Sequence, residues 1–136
     1  MIRMMKGGKT MSGFWIFMLL MDLLIPLLMI GLGKLLAKRP PKRINGVSGY
    51  RTKRSMKTQE TWEFAHRHFG NLWFKIGLVL IPLSVLPLIF VYGKDPDLIG
   101  TVGAAVTLVQ IVPMILPVFS TERALKENFD EFGNPL

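Results

Sequence analysis

Long apolar runs alternate with polar segments along this chain. Three runs, at 14–36, 72–92 and 98–119, each contain about the twenty residues that a helix needs to cross the hydrocarbon core of a bilayer. Polar segments lie between and after them, at 38–71 and 120–136. We therefore predict an all-α membrane protein with three transmembrane helices, a long loop between the first two helices and a short polar C-terminal tail.

Composition supports a membrane class, because 50% of the 136 residues are hydrophobic and a soluble domain of this size cannot bury so many. The N-terminal tail, residues 1–13, carries Arg3, Lys6 and Lys9, as the start of a secretory signal peptide would. The first apolar run is longer than a signal-peptide core and no small-residue cleavage motif follows it, which favours a retained helix. The absence of cysteine excludes disulfides and thiolate metal sites.

Basic residues determine the expected orientation. Between residues 38 and 69 there are nine lysines or arginines and only two acidic residues, so this stretch holds +7 of the net charge of +8. Positively charged loops stay on the cytoplasmic side, so we expect loop 38–71 and the C-terminal tail in the cytoplasm and the N terminus outside. The same charges are expected to contact anionic lipid headgroups. No nucleic-acid-binding motif accompanies them, so no nucleic-acid partner is expected.

Local signals divide the loop into parts. Pro40 and Pro41 end the first helix, because proline lacks the amide hydrogen and pushes the residue before it toward extended conformations. Asn45 and Gly49 favour a turn, and Thr58 is a good N-cap for a helix that begins directly after it. Apolar residues then recur every three or four positions into the second span. We predict an interfacial helix that leads into the second transmembrane helix.

The loop also carries a distinctive block of residues: Asn45, Gly49-Tyr50-Arg51-Thr52, Ser55-Met56, and Glu60-Thr61-Trp62 with Ala65. This block resembles the signature of the SdpI-type toxin-immunity membrane proteins, in which it lies between transmembrane helices. The resemblance implies a multipass protein of the bacterial inner membrane. The founding member protects a toxin-producing cell from its own secreted peptide and holds a repressor at the membrane. The founding type has more spans than the three counted in this sequence.

Within the block we predict a site for a ligand or partner. Arg51 offers a planar fork of donors that suits phosphate or carboxylate, and Gly49 allows a backbone to approach closely. An alternative is that Arg51 satisfies carbonyls at a helix end while the hydroxyl groups form turns. The predicted binding residues are Asn45, Gly49, Tyr50, Arg51, Thr52, Ser55 and Trp62.

No arrangement of residues indicates catalysis. His66 and His68 lie two positions apart on the predicted helix, so they point to different faces and do not form a shared metal site. We interpret both as polar residues at the membrane interface. Neither a serine, histidine and acid arrangement nor paired carboxylates occur at catalytic spacing. We expect a protein that is not an enzyme and needs neither a cofactor nor a metal.

Asp22 is the acidic residue inside a span, where a charge costs several kcal/mol and is usually partnered, neutralised or functional. Counting from the outer ends of the spans, Ser84 and Thr107 fall at about the same depth, and Gln110 lies about a turn deeper. We predict that Asp22, Ser84, Thr107 and Gln110 form a polar layer in the outer half of the bilayer, with Asp22 accepting hydrogen bonds or holding a proton. The alternative is that the hydroxyls bond carbonyls of their own helices.

Two functional classes follow from these features. The first is a bacterial membrane protein that gives immunity or resistance to a membrane-active peptide toxin, with signalling through a tethered regulator protein. The alternative is a small proton-linked transporter or a lipid-handling protein that uses Asp22. The position of the motif at the membrane surface favours the first class. Small residues in the third span, such as Gly100 and Ala104, suit close helix contact, and homo-oligomerisation is compatible with them.

Overall fold

Three long helices make up the chain. The computed structural model describes the backbone of residues 2–136 and the side chains of residues 13–136. The helices are α1 (Ile2–Lys38), α2 (Gln59–Phe90) and α3 (Pro96–Asn128). Each is long and apolar enough to cross a membrane, which confirms the predicted all-helical class with three spans. The predicted N-terminal tail lies almost entirely outside the residues whose side chains are described.

The helices alternate in direction, which gives the bundle two distinct ends. Near one end the indole nitrogen of Trp15 in α1 donates to the carbonyl of Leu88 in α2 at 2.6 Å. Toward the other end Trp73 of α2 donates to the carbonyl of Met114 in α3 at 3.0 Å. We call the end that carries loop 39–58 and the last residues of α3 the loop end. The opposite end, with the short connection 91–95, is the turn end.

Glycines bring α1 and α2 into backbone contact. A Cβ atom at Gly70 would lie 2.5 Å from the carbonyl oxygen of Gly33, and one at Gly77 would lie 2.9 Å from that of Pro26. Small residues at such positions let two helices approach until their backbones touch. In α3, Gly103 instead faces side chains of α1, those of Met18 and Asp22. Small residues suited to helix contact were predicted in the third span, but the glycines that join the first two helices were not.

The helices extend beyond the predicted spans. Helix α2 is continuous from its N-cap at Thr58 to Phe90, so the predicted surface helix and the second span form a single helix. Its 32 residues measure about 48 Å, while the hydrocarbon core is about 30 Å thick, so we expect the polar first turns, which include His66 and His68, to lie beyond the core. Their placement at the membrane surface stays a prediction.

The predicted C-terminal tail, 120–136, begins as a continuation of α3. Helix α3 continues without a break past residue 119 to Asn128. After it, the side chain of Asp130 accepts hydrogen bonds from the backbone of Phe132 and Asn134, both at 2.9 Å. The carbonyl of Gly133 accepts a hydrogen bond from the Thr58 hydroxyl at 3.0 Å. The tail therefore folds back onto the start of α2.

Candidate functional site

Tyr50 fixes the loop to the end of α3. Its side chain is buried in a small apolar cluster with Phe69 and Leu125. The Tyr50 hydroxyl donates to Oε2 of Glu122 at 2.8 Å, and the Thr52 hydroxyl donates to the same oxygen at 3.0 Å. One carboxylate oxygen on α3 therefore positions two residues of the predicted site.

His66 holds the loop through a hydrogen bond with its backbone. Its ring is fully buried, and its Nε2 accepts a hydrogen bond from the backbone N–H of Tyr50 at 2.9 Å. Because Nε2 is the acceptor, Nδ1 carries the hydrogen and donates to the Trp62 carbonyl at 2.7 Å. Gly49 has a φ of +93°, and a Cβ atom there would collide with His66 Nε2. Glycine is therefore required where the loop crosses the histidine.

Ser55 ties the turn of the loop to α2. Its side chain is fully buried, accepts the backbone N–H of Thr52 at 2.8 Å and donates to the Tyr50 carbonyl at 3.1 Å. Its own carbonyl accepts the hydroxyl of Thr61 at 3.0 Å. Thr61 also completes a capping box with Thr58 at the start of α2. The motif hydroxyls thus form a connected framework that holds the loop in one shape.

An amphipathic cavity of about 460 Å³ lies where the loop meets the bundle. Four consecutive motif residues, Gly49 to Thr52, form one wall. Apolar side chains from all three helices form the remaining walls: Leu32 and Leu36 of α1, Phe69 and Trp73 of α2, and Val118 of α3. The cavity has the mostly apolar lining with a few polar groups that is typical of ligand sites.

Three of the predicted site residues lie away from this cavity. Trp62 is fully buried, and its indole nitrogen donates to the Pro41 carbonyl at 2.6 Å. Asn45 forms a turn by accepting the backbone N–H groups of Val47 and Ser48 at 3.0 and 2.7 Å. Ser55 is the third, inside the framework just described. These residues shape the loop, while the residues from Gly49 to Thr52 line the cavity.

Arg51 is the charged residue of the cavity wall. Its side chain is exposed, and one guanidinium nitrogen donates to the carbonyl of Gly46. A guanidinium carries five N–H donors, so a single carbonyl partner does not exhaust its capacity to bind an anionic group.

Burial sets the protonation of the two groups that hold the loop. Burial, together with the neighbouring Glu122 carboxylate, raises the pKa of Tyr50 above its usual value. Burial also lowers the pKa of His66, against the smaller opposing effect of its hydrogen bond to the Trp62 carbonyl. At neutral pH Tyr50 therefore remains a donor and His66 remains a neutral acceptor.

The structure brings the four predicted intramembrane residues into one cluster. Asp22 is fully buried, and its Oδ1 accepts the Thr107 hydroxyl at 2.8 Å. The Gln110 amide nitrogen donates to the backbone carbonyl of Asp22 at 2.6 Å and to Ser84 Oγ at 2.7 Å. The Thr107 hydroxyl also lies 3.2 Å from the carbonyl of Gly103 in its own helix. The cluster therefore links all three helices within the apolar part of the bundle.

These features define a small helical membrane protein in which a basic motif loop is folded onto one end of a three-helix bundle. The model of the SdpI/YfhL protein family matches residues 42–121, which include most of the loop, α2 and most of α3. The chain belongs to this family, which confirms the resemblance seen in the motif.

A curated relative matches part of the chain. It is the uncharacterized protein YfhL of Bacillus subtilis (strain 168), which is 46% identical over 59 residues. The match covers 43% of this chain and 54% of YfhL, so the chain spans about half the length of this relative. No solved structure matches the chain significantly.

Two residues of the site were not predicted from the sequence. His66 was interpreted as an interfacial polar residue, and the structure buries it completely beneath Gly49 and Tyr50. Glu122 lies in the predicted tail, 72 residues from Tyr50 along the chain. The burial of His66 could have been predicted, because it lies on the same helical face as Trp62 and Phe69. No local pattern marks Glu122.

Proposed function

We propose that this protein is a non-enzymatic membrane protein that protects a bacterial cell against a membrane-active peptide by binding it at the loop end. Membership of the SdpI/YfhL family supports this class of function. The observation that carries the proposal is the cavity in which Gly49 to Thr52 face apolar side chains from three helices. A membrane-active peptide lies at the bilayer surface with one apolar and one polar face, which matches such a lining.

Charge supports the same location. Arg51 is exposed on the cavity wall, and its planar fork suits a carboxylate of the peptide, either at its C terminus or on an acidic side chain. The surrounding loop holds most of the net positive charge of the chain and attracts anionic groups, including lipid headgroups. A tethered regulator protein is a further proposed partner, and the exposed basic residues of the loop are the surface it would contact.

The test is a killing assay with a membrane-active peptide toxin in cells that express each variant at matched membrane levels. Arg51→Ala removes the anion-binding fork, and Val118→Trp fills the cavity. Arg43→Ala is the matched control, because Arg43 is an exposed basic residue of the same loop that does not line the cavity. We expect wild type and Arg43→Ala to protect equally.

For Arg51→Ala we expect the tolerated peptide dose to fall at least about tenfold, since one charge-assisted hydrogen bond contributes about 1.5 to 3 kcal/mol. We expect a similar fall for Val118→Trp, because the larger side chain fills the cavity. Equal protection by wild type and both variants would remove the cavity from the mechanism. Absence of protection by wild type would contradict the proposed function itself.

A proton-linked transporter or lipid-handling protein is the second candidate, and the buried cluster around Asp22 favours it. Its test is the movement of a fluorescent lipid across the bilayer of proteoliposomes, measured with and without a pH gradient. Movement that depends on the gradient and is lost in Asp22→Asn would support this candidate. Movement no faster than in protein-free vesicles would exclude lipid transfer.

A further inference from the structure

Two buried oxygens in the membrane-embedded cluster lack a hydrogen-bond donor. Among the described residues, Asp22 Oδ2 and Gln110 Oε1 are the buried side-chain oxygens or nitrogens without a partner. Both belong to residues with almost no exposed surface, Asp22 at 0% and Gln110 at 1%. Buried polar atoms are nearly always hydrogen-bonded, and leaving one unpaired in an apolar environment is costly. Both atoms are acceptors, so the missing group is a donor.

The orientation of the Gln110 amide is fixed by its other contacts. Its nitrogen uses both hydrogens, one on the Asp22 carbonyl and one on Ser84 Oγ. Exchanging the oxygen and the nitrogen would place two carbonyl oxygens against each other. Oε1 is therefore the atom of the Gln110 amide that remains unpaired.

We propose that Asp22 is a proton-binding site, and that in the structure described here the carboxyl group is neutral, with the proton on Oδ2. One proton converts Oδ2 from an acceptor into a donor, and Gln110 Oε1 is the unsatisfied acceptor in the same cluster. Oδ1 keeps its role as acceptor for the Thr107 hydroxyl. A proton on Oδ2 therefore removes the charge from the buried carboxyl group and supplies a donor to a cluster that holds an unpaired acceptor. This inference does not depend on the proposed peptide-binding function.

The surroundings of Asp22 favour a proton over an ion pair. Thr107 bonds the carboxyl group and Gly103 lies next to its second oxygen, while Gln110 bonds the backbone carbonyl of Asp22 and Ser84 of α2. None of these residues carries a charge. Among residues 13–136 the structure has one salt bridge, Arg123 to Glu127, and it lies on the exposed surface. An ionised Asp22 would have no oppositely charged side chain among these residues as a partner. Loss of the proton would leave a bare carboxylate between three apolar helices.

Infrared spectroscopy of the protein reconstituted in lipid tests this directly. We expect wild type at neutral pH to show the carbonyl stretch of a protonated carboxylic acid. The band is expected to be absent in Asp22→Asn, shifted in Gln110→Leu and unchanged in Asp97→Asn. Asp97 is the matched control because it is an exposed acid in the first turn of α3.

A second measurement keeps the inference testable if a variant folds poorly. Asparagine has the shape of a neutral aspartic acid, with an amide hydrogen in place of the proton, so Asp22→Asn should melt at or above the wild-type temperature. Wild type should also lose more stability than Asp22→Asn as the pH is raised. Melting in sodium and in choline chloride at equal ionic strength separates a proton from a metal cation.

The outcomes are distinct. An acid band that depends on Asp22 and is insensitive to sodium supports the proton site. A missing band together with a sodium-dependent rise in melting temperature, lost in Asp22→Asn, would assign a monovalent cation instead. A missing band without a sodium effect would show that Asp22 is ionised at neutral pH and would also overturn the inference.

Discussion

At the scale of single residues, the site depends on contacts between positions far apart in the sequence. The backbone N–H of Tyr50 donates a hydrogen bond to His66, 16 residues away, and its hydroxyl donates one to Glu122, 72 residues away. Its ring also packs on Phe69 with centroids 4.8 Å apart. The motif made Tyr50 visible in the sequence. Its partners were not visible, because a local pattern does not specify which distant side chain completes a hydrogen bond.

Removing the Tyr50 hydroxyl should weaken the attachment of the loop to α3. Tyr50→Phe keeps the ring and loses the hydrogen bond to the Glu122 carboxylate, so we expect the free energy of unfolding to fall by about 1 to 2 kcal/mol. Unfolding by SDS in mixed micelles measures it. Arg51→Ala, on the exposed side of the same loop, should change stability by less than about 0.5 kcal/mol. Equal effects of the two changes would contradict the role assigned to Tyr50.

The buried histidine should make stability sensitive to mild acid. Burial lowers the pKa of His66 below its usual value of 6.5, so the unfolded chain binds this proton more readily than the folded protein. The stabilisation is complete above 6.5 and is lost as the pH falls from there through the lowered folded value. Protonation also places an N–H on Nε2, against the N–H of Tyr50.

Thermal melting of the solubilised protein between about pH 8 and pH 5 measures this effect. We expect the wild-type melting temperature to drop over the acidic part of this range and His66→Gln to show a smaller drop. His68→Gln is the control. Burial lowers the pKa of His68 as well, but its ring stacks on Phe64 and has its hydrogen-bond contact with the Ser120 hydroxyl, at 3.2 Å, so it does not hold the motif loop and most of the dependence should remain. Superimposable profiles for wild type and His66→Gln would refute the assignment.

At the scale of helices, the three spans were predictable because length and hydropathy alone define a segment that crosses a bilayer. The start of α2 was equally readable, since Thr58 caps it and proline and glycine precede it. The close approach of α1 and α2 was not readable. Gly33 and Gly70 lie 37 positions apart on separate helices, and which glycine faces a neighbour depends on how the two helices are rotated against each other.

Adding a side chain at the crossing of these helices should be strongly destabilising. In Gly70→Leu the new side chain would meet the backbone of Gly33 and Ala37, which cannot move aside as a flexible side chain can. We expect a loss of about 3 kcal/mol or more, seen as reduced membrane accumulation and a lower melting temperature. Gly31→Leu is the matched control, because a Cβ atom there meets nothing within 4 Å. A similar loss for both would contradict close packing at Gly70.

At the scale of the whole molecule, one contact between distant parts of the chain was predictable from the sequence and another was not. The predicted polar layer was anticipated from equal depth in three spans, since residues at one depth of adjacent helices meet if they face inward. The docking of the loop on the C-terminal part of α3 was not anticipated, because it needs α3 to continue past residue 119 so that Glu122 reaches Thr52. Leu125, in the extended part of α3, packs in one cluster with Tyr50. A hydropathy plot does not show such a contact between distant residues.

The two ends of the bundle make membrane orientation testable in a chain without cysteine. The excess of basic residues predicts that the loop end faces the cytoplasm and the turn end faces outward. Single cysteines at Ser48 and Asn128 mark the loop end, and one at Lys94 marks the turn end; all three positions are exposed. In intact spheroplasts a membrane-impermeant maleimide should label Lys94→Cys alone, while permeabilised cells should show labelling of all three.

Labelling of Ser48→Cys and Asn128→Cys from outside would reverse the orientation. Labelling of only one of those two would contradict the docking of the loop beside the end of α3, since that contact requires both on one side of the membrane.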